Sequence, residues 1–372
     1  MRYRKLGRSG VEVSEIGLGT EYLKDVPRET TLSVIREAVD RGVNYIDMFY
    51  AHPEMRDRCG EALEGRWDDI LFAGHLGGGL REGEHSRIRD LDECEEYFAD
   101  LLRRLRTDCI GVCMIHHIDE EAEFDGVFEP LAELAQRYQR EGKARLIGLS
   151  THKVPVALKA VESGVLDLLM FPINVAGNAM PGRTQFLATC ESHGVGLVAM
   201  KVYAGGRLLQ DPKAIEVHSM VSGWKSMEKS LADPITPTQC LSYTLAQIGV
   251  CTTVPGPASM EELDGTCQYL SATDEEKDFS SVVSAFEEYH EGDCVYCNHC
   301  LPCPAEIDVG RTMRLLDSAA YGVSDERRAA YAALPAQASD CTECGLCVER
   351  CPFGVDVPPK MRQAAELFET GS

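Results

Sequence analysis

The chain has 372 residues, 44% of them hydrophobic, enough to bury a large core and to carry a second, smaller unit. Its formal net charge of −23 excludes nucleic acid as a partner, because phosphate binding needs clustered lysine and arginine. The first residues contain no signal-peptide core, and no apolar run approaches the ~20 residues of a membrane span, so a cytoplasmic protein with no membrane partner is expected.

Residues 2–13 read as a hairpin, RYRKL and VEVSE around GRSG. Apolar runs of strand length then recur at 15–20, 44–49, 70–75, 109–117, 144–150, 166–174, 195–202 and 251–256. Between them lie amphipathic stretches such as 31–42, 91–106 and 127–143; the last places apolar residues at 127, 131, 134, 135 and 138, near helical spacing. Gly42, Gly142 and Gly194 stand where a helix would end. This alternation predicts an α/β fold, a (β/α)8 TIM barrel over residues 1–285, rather than a doubly wound sheet. The latter calls for G-x-G-x-x-G, of which IGLGTEY supplies only the first half.

Residues 286–372 are expected to form a small α-helical ferredoxin-like domain. Sixteen cysteines in a chain with no visible signal point to metal-binding thiolates rather than disulfides. Half of them fall in two runs. CVYCNHCLPCP supplies Cys294, Cys297, Cys300 and Cys303, and CTECGLCVERCP supplies Cys341, Cys344, Cys347 and Cys351. Three cysteines at two-residue gaps, then a fourth before proline, is an iron–sulfur pattern, and two [4Fe-4S] clusters are expected. By the two-cluster rule the fourth cysteine crosses over, grouping Cys294, Cys297 and Cys300 with Cys351, and Cys341, Cys344 and Cys347 with Cys303. Zinc fits less well, since its sites separate two C-x2-C pairs by a longer spacer. The other eight cysteines lie singly, mostly in apolar segments, as buried thiols do.

The segment NYIDMFYAHPEMRDRCGEALEG (44–65) reads as a strand, a short loop and a helix, with Asp47 at the strand's end and Tyr50 and His52 in the loop. His75 and His116 end two later strands, which would put all of these residues at one mouth of a barrel. His117 is expected to point away, because neighbours on a strand alternate faces.

Taken together, RKLGRSGVEVSEIGLGT, NYIDMF…EALEG, CMIHH, IGLSTH, PIN, LVAMKVYAGGRL, TVPGPASMEEL and the double cysteine run resemble, in order, the iron–sulfur branch of the aldo-keto reductase superfamily. The resemblance implies an oxidoreductase that moves hydride between a nicotinamide and a small carbonyl or hydroxy compound through an Asp/Tyr/Lys/His tetrad. Carried onto this sequence, the aspartate is Asp47 and the orienting histidine His116, while the tyrosine position holds His52 and the lysine position His75. An imidazole with a pKa near 6.5 can donate a proton at neutral pH without a lysine beside it, so His52 is the expected acid, with Tyr50 its rival. His75 also fits an ordinary structural histidine.

The resemblance further places Gly19, Thr20, Ser150 and Asn174 against the cofactor, and Gly256 in the loop that would face its adenosine end. VPGPASMEELDGTCQ carries no lysine or arginine, which favours NAD(H) over NADP(H). Lys201 and Arg207 are the cationic candidates for a pyrophosphate or an anionic substrate, and both also fit solvated side chains. Electron exchange with one-electron clusters would call for a flavin or a radical-tolerant substrate, or for a redox partner protein beyond the chain. Two other readings stand beside this one. Asp47, His52, His75 and His116 could bind zinc or iron in a metal-dependent lyase or hydrolase, or the chain could be a non-catalytic electron-transfer subunit.

Overall fold

The eight apolar runs become eight parallel strands in the computed structural model of the chain: β1 (Leu18–Gly19), β2 (Tyr45–Met48), β3 (Leu71–Leu76), β4 (Ile110–Ile115), β5 (Ala144–Ser150), β6 (Leu168–Pro172), β7 (Gly196–Met200) and β8 (Val250–Thr253). The structure describes residues 1–178, 180–211, 216–219, 223–226, 231, 233–286, 294, 296, 298, 300–319, 323, 325–351 and 354–370. Each strand pairs with the next in chain order. The sheet closes where Ile16 bridges Thr253, with Gly17 N donating to Thr253 O at 2.7 Å and Thr253 N to Glu15 O at 3.1 Å. Closure leaves no exposed edge for another chain to extend.

A helix follows every strand: Arg28–Asp40, Pro53–Ala62, Leu91–Leu105, Glu121–Arg140, Val154–Glu162, Arg183–Ser192, Pro237–Ala246 and Met260–Cys267. The fourth begins earlier than its sequence spacing suggests and runs through Pro130. Phe124, Phe128, Leu131, Leu134, Ala135 and Tyr138 are buried along one stripe on both sides of the proline, and that packing outweighs its local cost.

Strand alternation divides the core in two. Tyr45, Leu71, Ala73, Val112, Met114, Leu146, Leu168, Met170 and Val198 point into the barrel, while Ile46, Phe72, Cys113, Ile147, Leu169, Phe171 and Leu197 pack outward under the helices. The N-terminal hairpin, Tyr3–Lys5 paired with Glu12–Ser14, plugs the barrel floor with Leu6 and Val13. In the tail, helices Val309–Ala319, Asp325–Ala332 and Val357–Glu369 follow the first cysteine run. The tail docks on the barrel's outer helices: Arg327 pairs with Glu191 at 2.9 Å and donates to Ala188 O at 3.1 Å. No helix among the described residues is long and apolar enough to cross a membrane.

Candidate active site at the barrel mouth

The inward register that buries Tyr45, Ala73, Met114 and Gly148 continues, two residues on, to Asp47, His75, His116 and Ser150. All four line one cavity of about 1260 Å³ at the C-terminal ends of the strands, the end at which barrel enzymes carry their chemistry. Asp47 Oδ1 lies 3.0 Å from His75 Nε2, and His75 Nδ1 lies 2.9 Å from His116 Nδ1. The chain then continues to a residue the sequence did not single out, since His116 Nε2 is 3.0 Å from His85 Nε2.

His85 is carried by a hairpin, Gly78–Arg81 with Glu84–Arg87, inserted between β3 and its helix. Glu82 and Gly83 form its two-residue turn, both at positive φ (53° and 85°), as a type I′ turn requires. At its base a Cβ on Gly78 would lie 2.8 Å from Phe49 O, so only glycine lets the hairpin close down over the mouth. Tyr97 Oη pins it from above, accepting from Leu80 N at 3.1 Å and donating to Leu80 O at 3.0 Å. Phe49 lies flat against His116, ring planes 3° apart, and meets His85 edge-on.

Hydrogen-bond roles follow from the Asp47 carboxylate, which only accepts. His75 therefore carries its hydrogen on Nε2 and accepts at Nδ1 from His116, which accepts in turn at Nε2 from His85. Every imidazole nitrogen from His75 Nε2 to His85 Nε2 thus has a partner while the rings are neutral, and His85 Nδ1 stands at the outer end of the chain. His85 is exposed at its outer edge, and partial desolvation, reinforced by the neighbouring imidazoles, depresses it to about 4. Full burial with the same neighbours holds His116 well below the ordinary histidine range.

A second polar chain lies beside the first. His117 and His152 line the cavity, and Asp119 stands between them, with Oδ2 2.9 Å from His117 Nε2 and 3.0 Å from His152 Nδ1. Lys201 Nζ is 3.0 Å from His152 Nε2. Burial raises the Asp119 pKa and the bonds from both histidines lower it; the bonds prevail and hold the carboxyl far below its usual range. Burial depresses His152 despite Asp119, and depresses Lys201. The expectation for His117 is corrected here. β4 ends at Ile115 and His117 adopts φ +47°, so alternation stops and both His116 and His117 face the cavity.

His52 is also corrected. It is exposed at the N-cap of Pro53–Ala62 and is not among the cavity-lining residues, because proline at the first helical position starts the helix immediately after it. Tyr50 is buried off the cavity with its hydroxyl donating to Thr20 O, and burial pushes its pKa far upward. The Asp47/His52/His75/His116 metal set is therefore not assembled. Among the described residues, the metal-capable group whose donor atoms converge is His117, Asp119 and His152.

Gly19, Thr20, Ser150, Asn174, Lys201, Arg207 and Gly256 all line the cavity. Some already serve the fold: Gly19 N donates to Pro255 O at 2.8 Å and Thr20 Oγ1 to Asp47 O at 2.8 Å. Asn174 Nδ2 donates to Lys201 O at 3.0 Å, and Ser150 Oγ accepts from His117 N at 2.9 Å. Beyond Gly256, Ala258 N donates to Glu262 Oε2 at 2.7 Å, and Glu261, Glu262 and Asp264 make that end of the cavity acidic.

In the tail, Cys303 shares a small recess with Cys300, Cys341, Cys344 and Cys347, walled by Ile307, Val309, Val357 and Met361. Thiols in an apolar shell suit an iron–sulfur cluster, and both Cys300 and Cys303 of the first run stand with the second run in this recess. Cys294 and Cys351 are half-buried; Cys297 lies outside the described residues.

Similarity to known proteins agrees with this layout. An uncharacterized oxidoreductase of Bacillus subtilis is 28% identical over 289 residues, 73% of this chain and 92% of its own length. The L-galactose dehydrogenase of Arabidopsis thaliana is 25% identical over 283 residues, 70% of this chain and 85% of its own. Among solved structures, an aldo-keto reductase from Bacillus halodurans in its holo form superposes with a TM-score of 0.63 at 23% identity, covering 78% of this chain and 99% of that one. The aldo/keto reductase family model matches residues 15–287 and a 4Fe-4S dicluster domain model residues 292–355. The chain thus belongs to the aldo/keto reductase family, as an oxidoreductase with a 4Fe-4S dicluster domain behind its barrel.

Proposed function

We propose that this protein interconverts a small carbonyl compound and its alcohol, with the proton carried by the chain Asp47–His75–His116–His85. One observation carries the reading: four titratable side chains joined at 2.9–3.0 Å, three of them continuing the barrel's inward register, converge on the cavity. A tyrosine acid needs a cation beside it to lower its pKa, whereas an imidazole is suited to proton transfer near neutrality. The chain has a histidine where its relatives' lysine is expected, and His75 there passes hydrogen bonds in both directions.

A nicotinamide, when bound, supplies and accepts the hydride. The cavity is large enough for a dinucleotide beside a small substrate. Ser150 and Asn174 would hold the nicotinamide end, while Gly256 lets the chain pass close to Tyr22, whose ring a Cβ there would meet at 3.2 Å. The acidic lining at Glu261, Glu262 and Asp264 disfavours a 2′-phosphate, so NAD(H) is preferred to NADP(H). In the tail, Cys303 with Cys341, Cys344 and Cys347 would hold one [4Fe-4S] cluster, and Cys294, Cys297, Cys300 and Cys351 the other, serving electron exchange with a redox partner protein.

The test is turnover of NADH and NADPH by anaerobically purified protein over a panel of aldehydes, ketones and alcohols. NADH-dependent turnover that collapses in H116A is expected. No nucleotide-dependent turnover, together with no nucleotide binding by fluorescence, would overturn the reading.

A further inference from the structure

The cluster His117–Asp119–His152 takes no part in the Asp47 relay, yet it stands on the same cavity wall. Its donors come from the loops after two adjacent strands, β4 and β5, and each is fixed before any ligand arrives. Asp119 Oδ1 accepts from His152 N at 2.8 Å and from Thr151 Oγ1 at 3.1 Å, which turns Oδ2 toward the two imidazoles. His117 is held in its left-handed conformation by Ser150 Oγ on its N–H, at 2.9 Å, and by Arg89 on its carbonyl, at 2.8 Å. A non-glycine residue kept at positive φ stores strain that the surroundings must sustain. Here that strain aims an imidazole at a carboxylate instead of into the barrel wall.

Metal bonds of about 2.1 Å to nitrogen and oxygen place neighbouring donors roughly 3.0–3.4 Å apart. The separations from Asp119 Oδ2 are 2.9 and 3.0 Å, and the two imidazole nitrogens lie within 4.8 Å of each other, an edge that binding would draw in to the same range. Two imidazoles and one carboxylate, with no thiol among them, is a donor set suited to zinc or iron(II), with coordination positions left for water or substrate.

We propose that His117 Nε2, His152 Nδ1 and Asp119 Oδ2 form a three-ligand site for a divalent first-row transition ion on the cavity wall. The site stands or falls independently of the carbonyl reading above. An ion here would face the same space as the relay, His117 lying next to His116 in the chain with ring centroids 5.7 Å apart.

Lys201 distinguishes this site from a hydrogen-bonded triad of purely structural use. Without metal, its ammonium donates to His152 Nε2 at 3.0 Å, and His152 gives its own hydrogen from Nδ1 to Asp119. An ion on Nδ1 forces that hydrogen to Nε2, where it confronts another donor. Lysine and metal therefore compete through one ring, and removing the lysine should tighten metal binding.

The experiment is anaerobic calorimetric titration of the cluster-loaded protein with Zn2+. Wild type is expected to take up one equivalent more than D119A or H117A, the latter removing a half-buried side chain whose loss the fold should tolerate, with cluster absorbance and circular dichroism unchanged. K201M is expected to bind that equivalent about tenfold more tightly. X-ray absorption of wild type loaded with this equivalent should give a nitrogen and oxygen shell. Equal zinc stoichiometry in wild type and H117A, or sulfur in the zinc shell, would overturn the site. Weaker binding in K201M would overturn it too, since it would make the lysine a partner of the cluster.

Discussion

Replacing His85 separates a proton carrier from a mere hydrogen-bond donor. In the relay, His85 Nε2 donates to His116 Nε2, 3.0 Å away, and His116 is only 3% exposed. H85A leaves that acceptor with no protein partner, which costs about 1–3 kcal/mol of stability where cavity water does not replace it. Glutamine places an amide N–H near the former Nε2, so H85Q should recover most of the lost stability. An amide, however, cannot take up a proton on one side and release it on the other. Proton transfer of this kind contributes about 10²–10⁴ in rate, roughly 3–5 kcal/mol of barrier. Both variants should therefore lose kcat by about that factor with KM little changed, while only H85A shifts the urea midpoint. The assay is steady-state NADH turnover with the best carbonyl from the panel, beside urea unfolding followed by circular dichroism. H85Q with wild-type kcat would refute the argument, because a donor alone would then suffice.

Four further outcomes follow from the same geometry. His85, depressed to about 4, and His116, depressed further, bind fewer protons folded than unfolded; their stabilising contribution is complete above pH ~6.5 and is lost as pH falls toward the folded values. Urea midpoints from pH 7 to 4 should thus fall more steeply for wild type than for H85Q. H52A should change kcat less than twofold and stability by no more than about 0.5 kcal/mol, since His52 is exposed and makes no side-chain cap bond. On the proposed ligand sets, in which Cys303 completes that of Cys341, Cys344 and Cys347, C303S should lower iron and acid-labile sulfide by roughly half and leave the other set complete. E262K should lower the Kd for NADPH more than that for NADH in a fluorescence titration, by replacing a carboxylate at the acidic end of the cavity with a cation.

The strands were legible because a barrel strand is a short apolar run between helical segments, and all eight runs are strands. Asp47, His75 and His116 were legible for the same reason: each lies two residues beyond an inward core side chain, so period-two alternation carries it into the mouth. What escaped the sequence reading depends on backbone conformations that break that period. His117 turns inward at φ +47°. His52 turns outward because Pro53 begins a helix at once, and Phe49 takes the place on the cavity wall. His85 had a readable signal: the run GHLGGGLREGEHSR holds a glycine triplet after His75, and Glu82–Gly83 is a two-residue turn. Reading that run as a hairpin folds His85 back toward the strand end it left. Asp119 and His152 lie on separate loops 33 residues apart, and only the parallel pairing of β4 with β5 makes them neighbours.

The relay also explains how so many ionisable groups can sit in one mouth without destabilising it. Burying a lysine beside a tyrosine sets a permanent positive charge against desolvation, and that charge must be repaid by partners. Asp47, His75, His116 and His85 carry a single negative charge among four residues, and every imidazole nitrogen between Asp47 and His85 has a partner at 2.9–3.0 Å. Such a chain can take up one proton at its His85 end and present the compensating charge beside Asp47, shifting only hydrogens. Its outer member rides on a hairpin fixed by Tyr97 and by the tight passage at Gly78. Lifting the hairpin would remove His85 and break the chain, so continuity of the proton path depends on this one structural element.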